Sequence, residues 1–427
     1  MTADSRAQLL ADLDRRASET GPDMISWRHH LHAHPELSNR EENTASFIAK
    51  TLQQMGIDDI RTGIAGHGVV GILRGGQSGD GVIVLRADID ALPVPDESGV
   101  DFASREVDHD YPGGPFPVSH ACGHDCHTAM LLGAMRVLSE QTDRLPGTVV
   151  SVFQPAEEGA PVNEIGGAKA MLEAGALDGL NPTMAFGMHV QPQPKGTVSI
   201  RSGNQFAASC MMRITVTGEQ VHASTPWAGH DPMPAVGAIL TGIGQIYRRN
   251  DATDPMTISV GHVEDVGRFN VVGGKVTLWG TIRSLSDTVM ARAQQQVRDL
   301  AEGSAAAMGC RAEVDFLQPV PAVTNTPEWV EAVTGSLTDV VGADNVFEPH
   351  PTLGYDDVSE FINAFGGVYV GLGVQDTHFV DGQLQPVDGG RGGVPNHHPA
   401  FYADDETLVT GVRLHSHVAV DHLWSRI

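Results

Sequence analysis

Three short, largely apolar runs each lead the chain into a polar cluster, and this recurrence constrains the fold more than any other feature. Residues 82–85 lead into Arg86, Asp88 and Asp90, residues 149–153 into Glu157 and Glu158, and residues 183–188 into His189. Runs of this length fit buried strands. Helical patterns over 128–138 and 166–176 separate them, after an earlier helical stretch over 41–55. Such alternation predicts an α/β fold, a central mixed sheet flanked by helices. Ligands gather at the carboxyl ends of strands in these sheets. Three polar clusters at equivalent ends therefore predict one site.

A different order occupies 207–317. It reads strand (211–217), helix (233–247), strand (256–263), strand (275–282), helix (288–308), strand (311–316). That is the βαββαβ order of a ferredoxin-like unit. The α/β pattern then resumes with a helix over 326–341 and a strand over 368–372. A chain of 427 residues is long for one core. The expected architecture is a domain of 1–206 and 318–427 interrupted by an inserted domain, 207–317. Two Gly/Pro-rich loops, 108–117 and 374–395, flank chemical signatures and are read as parts of a pocket rim.

Charge excludes several partners. With 53 acidic against 27 basic residues the formal charge is −26, which gives no electrostatic reason to seek nucleic acid or anionic lipid. The start carries Asp4, Arg6, Asp12, Asp14, Arg15 and Arg16 and lacks the apolar core of a signal peptide. No apolar run reaches membrane-spanning length. Four cysteines, two of them in one dense signature, do not make a disulfide framework. The chain reads as a reduced, cytoplasmic protein without a membrane partner.

The chemistry is concentrated in His120-Ala121-Cys122-Gly123-His124-Asp125-Cys126-His127, in Glu157-Glu158 between Pro155 and Gly159, in Met188-His189 and in Asn396-His397. Thiol, imidazole and carboxylate together hold divalent transition metals. Cys122 and His124 would project to one side of an extended segment, and Gly123 between them allows a sharp turn. Cys126 reads as a small residue at a helix start. Two adjacent carboxylates repel each other unless cations neutralise them. One of the glutamates would then bind metal while its neighbour takes a proton from activated water. His189 and His397 carry little weight alone, since a lone histidine is more often a core or surface group; their order within the set supplies it. By local sequence His222 is a loop histidine, Asn270 a turn residue and Arg283 a strand terminus. The set points to metal-assisted hydrolysis.

Arg28-X-X-Leu31-His32-X-His34-Pro35-Glu36-Leu37, Leu85-Arg86-Ala87-Asp88-Ile89-Asp90-Ala91-Leu92-Pro93, the 120–127 run, Gln154-Pro155-Ala156-Glu157-Glu158-Gly159, Met188-His189 and Asn396-His397 resemble the M20-family amidohydrolases. The subgroup is that of aminoacylases, hippurate hydrolases and auxin–amino-acid conjugate hydrolases, and the similarity runs in order from about residue 25 onward. The resemblance implies a zinc-peptidase-like catalytic domain holding two divalent metal ions per chain. Its ligands would be Cys122, His124, Glu158, His189 and His397, with Glu157 as general base. Thiolate favours zinc, whereas carboxylate and imidazole also suit manganese. The resemblance further implies that the insert is a lid through which two chains form a homodimer. His222 would then approach the second subunit's active site and stabilise the oxyanion, with Asn270 and Arg283 near the substrate carboxylate.

The expected activity is cleavage of the amide of an N-acyl amino acid or similar small conjugate. The alternative is a dipeptidase or aminopeptidase with the same dinuclear site, but the acidic partner for a substrate amine is not identifiable. Two other classes compete: a catalytically silent metal-binding or redox protein using Cys122 and Cys126, and a thiol hydrolase with Cys122 as nucleophile. Departures from the family pattern are Gly273 in place of the usual proline, Trp227 in place of a polar residue and Cys126 in place of glycine. All three lie where substrate selection is expected.

Overall fold

The computed structural model describes residues 3–425. They form two compact units. The first comprises the chain up to Gly203 with Thr324–Pro349 and the part from Glu360 onward; the second is Asn204–Val323 with His350–Ser359.

The first unit is built on an eight-stranded mixed sheet, in the order Asp59–Ile64, Gly68–Arg74, Pro146–Gln154, Gln77–Asp88, Met184–Pro194, Gly367–Gln375, Val198–Ser199, Val346–Phe347. Its four central strands run parallel. Alternate residues of one strand feed two cores, the expected consequence of the two-residue side-chain period. Ile83 and Leu85 pack with Met130, Leu131 and Val412 from the helices His124–Ser139 and Leu408–Trp424. Val84 packs on the other face with Val150, Ala168 and Met171, the last two from the helix Gly167–Glu173. Parallel register sets Asp88 opposite Gln154, and His189 opposite Gly371. The polar clusters thus share one edge of the sheet.

Three local expectations change. The strand Gln77–Asp88 runs past Leu85 and takes in Arg86 and Asp88. The strand Met184–Pro194 likewise runs past His189, because pairing with Gly367–Gln375 continues to Pro194. His189 therefore sits within a strand and not at its end. The helix expected from residue 128 begins at His124, so Cys122 and His124 do not lie in an extended segment. Gly123 turns the chain with φ 91, and a Cβ there would come within 2.3 Å of Val190 Cγ2. Glycine is required at this position for both conformation and space.

The second unit holds a four-stranded antiparallel sheet in the order Met256–Asp265, Lys275–Ser284, Ala208–Thr217, Arg311–Val320. With the helices Pro232–Ile243 and Asp287–Ala307 this is the ferredoxin-like topology. Val236, Ile239, Ala293 and Val297 pack with Ile214, Leu278 and Ile282. The helices are capped by Asp231 and Ser286, whose side chains accept the N–H groups of Met233 and Val289. The first helix stops at Ile243, earlier than expected, where Gly242 and Gly244 weaken it and a short 3-10 turn, Ile246–Arg249, follows. Among the described residues no helix is long and apolar enough to cross a membrane.

Candidate metal centre

Five segments of the first unit bring side chains together at the carboxyl edge of the parallel strands. Cys122 comes from the glycine turn and His124 from the first helical residue beyond it. Glu157 and Glu158 come from the loop after Pro146–Gln154, His189 from Met184–Pro194, and His397 from a loop residue with φ 69. Cys122 Sγ lies 3.3 Å from His189 Nε2, and Glu158 Oε1 lies 3.2 Å from His397 Nε2. Around His124 Nε2 stand Asp88 Oδ2 at 3.7 Å, Glu157 Oε2 at 3.8 Å and Glu158 Oε1 at 3.9 Å. Cys122 belongs to two overlapping donor groups, one with His124 and His189, the other with Glu158 and His397. All five sequence-predicted ligands and the predicted base are thereby gathered.

The donor set fits divalent ions. The three carboxylate contacts of His124 are too long for hydrogen bonds, so its Nε2 faces acidic oxygens without being bonded to any of them. His124 Nε2 is buried and has no hydrogen-bond partner. Second contacts fix which ring nitrogen faces inward. His124 Nδ1 donates to the Asp90 carbonyl at 2.9 Å, and His189 Nδ1 donates to the Val190 carbonyl at 2.7 Å. Each Nε2 is left to face the cluster as a lone pair. His127 is different. Its Nδ1 meets Asp88 Oδ1 at 2.5 Å while its Nε2 accepts the Val190 N–H at 2.9 Å, so neither nitrogen is available to an ion.

Electrostatics agree with a cation in the cluster. Burial, then the Glu158 and Glu157 carboxylates, push the Cys122 thiol well above its usual range. A thiolate is favoured there only when positive charge accompanies it. Burial opposes a proton on His124, but the Asp88 carboxylate and the contact with Asp90 outweigh it and carry the ring to about 10. The carboxylates that favour a proton there would equally favour a metal cation in its place. Burial and the adjacent His127 hold His189 well below its usual range, and hence neutral, as a ligand must be.

His222, Asn270 and Arg283 belong to the second unit. His222 lies in a two-residue ribbon, Val221–His222 against Val271–Val272, and its Nδ1 accepts the Ser224 N–H at 3.1 Å. The Asn270 carbonyl accepts the Ala223 N–H at 3.2 Å, so ribbon pairing brings these two predicted residues together. Arg283 is on a strand of the four-stranded sheet, its guanidinium 4.2 Å from the centre of the Tyr355 ring and its Nε donating to Thr281 Oγ1 at 3.2 Å.

Sequence reasoning left several residues of the first unit without a role. Asp88 holds His127 and receives Arg86 Nη1 at 2.6 Å. Asn396 Nδ2 donates to the Cys122 carbonyl at 3.0 Å and the Val190 carbonyl at 3.3 Å, tying two ligand-bearing segments together. The alternation of Arg86, Asp88 and Asp90 at a strand end was the available signal for Asp88. Nothing local marks Asn396 beyond its position before His397.

A model of peptidase family M20/M25/M40 matches residues 84–421. The chain is 33% identical over 402 residues to thermostable carboxypeptidase 2 of Saccharolobus solfataricus, covering 93% of this chain and 94% of that relative. It is 31% identical over 399 residues to an N-acetylcysteine deacetylase of Bacillus subtilis, with 93% and 96% covered. Among solved structures it resembles the Bacillus subtilis YXEP protein, described as a dinuclear metal binding peptidase from the M20 family. That match has a TM-score of 0.74 at 28% identity and covers 96% of this chain and 100% of the other.

Proposed function

The chain belongs to peptidase family M20/M25/M40, and from that premise we propose that it is a metal-dependent hydrolase cleaving the amide of N-acyl amino acids or similar small conjugates. The observation that carries the reading is the buried convergence of His124 Nε2, three carboxylates and the Cys122 thiol in one cluster. By their names, the deacetylase relative acts on an N-acyl amino acid and the carboxypeptidase relative at a peptide's carboxyl terminus. In both cases the amine that leaves belongs to an amino acid.

Cys122, His124, Glu158, His189 and His397 would hold two divalent ions, zinc or manganese. Bound there, the ions supply Lewis acidity toward the scissile carbonyl and make water more acidic. Glu157 takes the proton of the attacking water and returns it to the departing amine. It is almost fully buried, and the next residue, Glu158, contacts His397, an arrangement that supports separate duties for the pair. The ferredoxin-like unit serves as the lid and dimerisation domain. From it His222 stabilises the oxyanion across the dimer, and Asn270 and Arg283 bind the substrate carboxylate. A guanidinium matches a carboxylate in paired hydrogen bonds.

The test is a panel of N-acyl amino acids and N-blocked dipeptides, assayed after reconstitution with zinc or manganese, each as free acid and as methyl ester. Free acids should be cut much faster than esters, and Arg283→Ala should lose about 2–5 kcal/mol of transition-state binding if its pair with the substrate is desolvated. No amide hydrolysis with either metal would overturn the activity. Equal rates for acid and ester would overturn the carboxylate role.

A further inference from the structure

The loop that carries Glu157 is held from outside. Ala156 has φ 55, in the left-handed region that a residue with a Cβ rarely adopts. Such a conformation persists only when its surroundings impose it. The Ala156 N–H is accepted by Glu41 Oε1 at 2.8 Å. Glu41 stands just before the helix Glu42–Gln54 and is completely buried. Two residues after Ala156, the Glu158 N–H is accepted by Asp90 Oδ2 at 3.0 Å, an oxygen that also receives Ser38 Oγ at 2.7 Å. The backbone N–H groups on the two sides of Glu157 are thus each held by a buried carboxyl group from a different element. Glu41 has no part in the chemistry above, and its Oε2 has no hydrogen-bond partner. Burial, then the charge of Asp90, raise its pKa above the usual carboxyl range.

We infer that Glu41 is a positioning residue for the reaction: by accepting the Ala156 N–H it holds the left-handed turn that presents Glu157, while Asp90 fixes the far side of the same turn. The inference rests on Glu157 being the proton carrier. A role in fold stability alone would lower the amount of folded, metal-loaded protein and leave kcat per folded site unchanged. Positioning predicts the reverse, because a catalytic group displaced by a fraction of an ångström loses rate without losing substrate binding.

The experiment uses the full chain loaded with metal and compares Glu41→Met, which fills similar volume without an acceptor, with Glu41→Gln, which keeps a carbonyl oxygen. Metal content, kcat and KM are measured on the best N-acyl amino acid of the panel. Amide exchange of the peptide spanning 154–160 is followed by mass spectrometry. Glu41→Met should lower kcat by about 100-fold, leave KM and bound metal near wild type and speed exchange in that peptide. Glu41→Gln should recover most of both losses. If Glu41→Met does not accumulate as folded protein, Glu41→Asp, one methylene short of the Ala156 N–H, gives the same reading. Wild-type kcat in the Met or Asp variant, equal losses in Met and Gln, or a loss that tracks bound metal would each overturn the inference. A Glu157→Gln control separates the two levels. If that variant is fully active, the proton-carrier reading fails; if it is impaired while the Glu41 variants are not, only the positioning role fails.

Discussion

Raising the pH should remove stability through His32, a residue one turn from Arg28 on the helix Gly21–Ala33. Both ring nitrogens face carboxylates, Nδ1 to Asp125 Oδ2 at 2.9 Å and Nε2 to Asp96 Oδ2 at 3.0 Å. Burial and the Arg28 guanidinium disfavour the charged ring, but Asp125 and Asp96 outweigh them and carry its pKa to about 9. His120 and Phe102, the other rings beside it, add no counter-charge: His120 is driven down to about 4 by burial. The unfolded chain releases the same proton near 6.5. Between these values the folded state binds more protons, so stability falls as pH rises. The contribution is complete below about 6.5, is lost as pH passes about 9, and amounts to about 3 kcal/mol. That is a sizeable part of the roughly 5–15 kcal/mol that holds a typical domain folded. Against burial, the Arg28 guanidinium and then His32 hold the Asp125 carboxyl well below its usual range, so the His32 share of that pairing is already counted here. Urea unfolding of wild type and His32→Gln across pH 6–10, at matched saturating metal, isolates the effect, because metal-linked protons cancel in the difference. The wild-type advantage should shrink by about 3 kcal/mol over this range. A His32 ring that titrates at or below 6.5 by NMR, or identical pH slopes for the two proteins, would refute the reasoning.

Exhaustive chelation should abolish amide hydrolysis and lower Tm, and zinc or manganese should restore both. Activity that persists with metal content confirmed near zero would remove the mechanism and favour a thiol hydrolase. Glu157→Gln should retain metal while kcat falls by about 100-fold or more, whereas Glu158→Gln should weaken metal retention; full activity in the former would mean that another group carries the proton. Mixing inactive His222→Ala chains with inactive Glu157→Gln chains should restore part of the activity, since one site of each heterodimer regains both groups. A fully active monomer at assay concentration would exclude action across subunits.

Much of the architecture was legible because it depends on local patterns. Apolar runs such as 82–85 and 149–153 can be buried on both faces only as central strands, and the helical periods between them require parallel pairing. The ferredoxin-like order of the insert was readable for the same reason. The donor types were legible too, since a thiol, imidazoles and a carboxylate pair at strand ends have few other uses in concert. What tertiary structure alone decided is how those groups are held. Ring orientation at His124 depends on a carbonyl 34 residues away, and Ala156 beside the proposed base is fixed by Glu41 across 115 residues. His127, as good a ligand as His124 by sequence, is consumed by Asp88 and by the Val190 N–H. His189 lies within a strand because an adjacent strand goes on pairing beyond it. Propensity and side-chain period act over a few residues, so they specify which elements form and which faces are buried. Hydrogen bonds between distant segments exist only once packing has brought those segments together, and no local pattern encodes them.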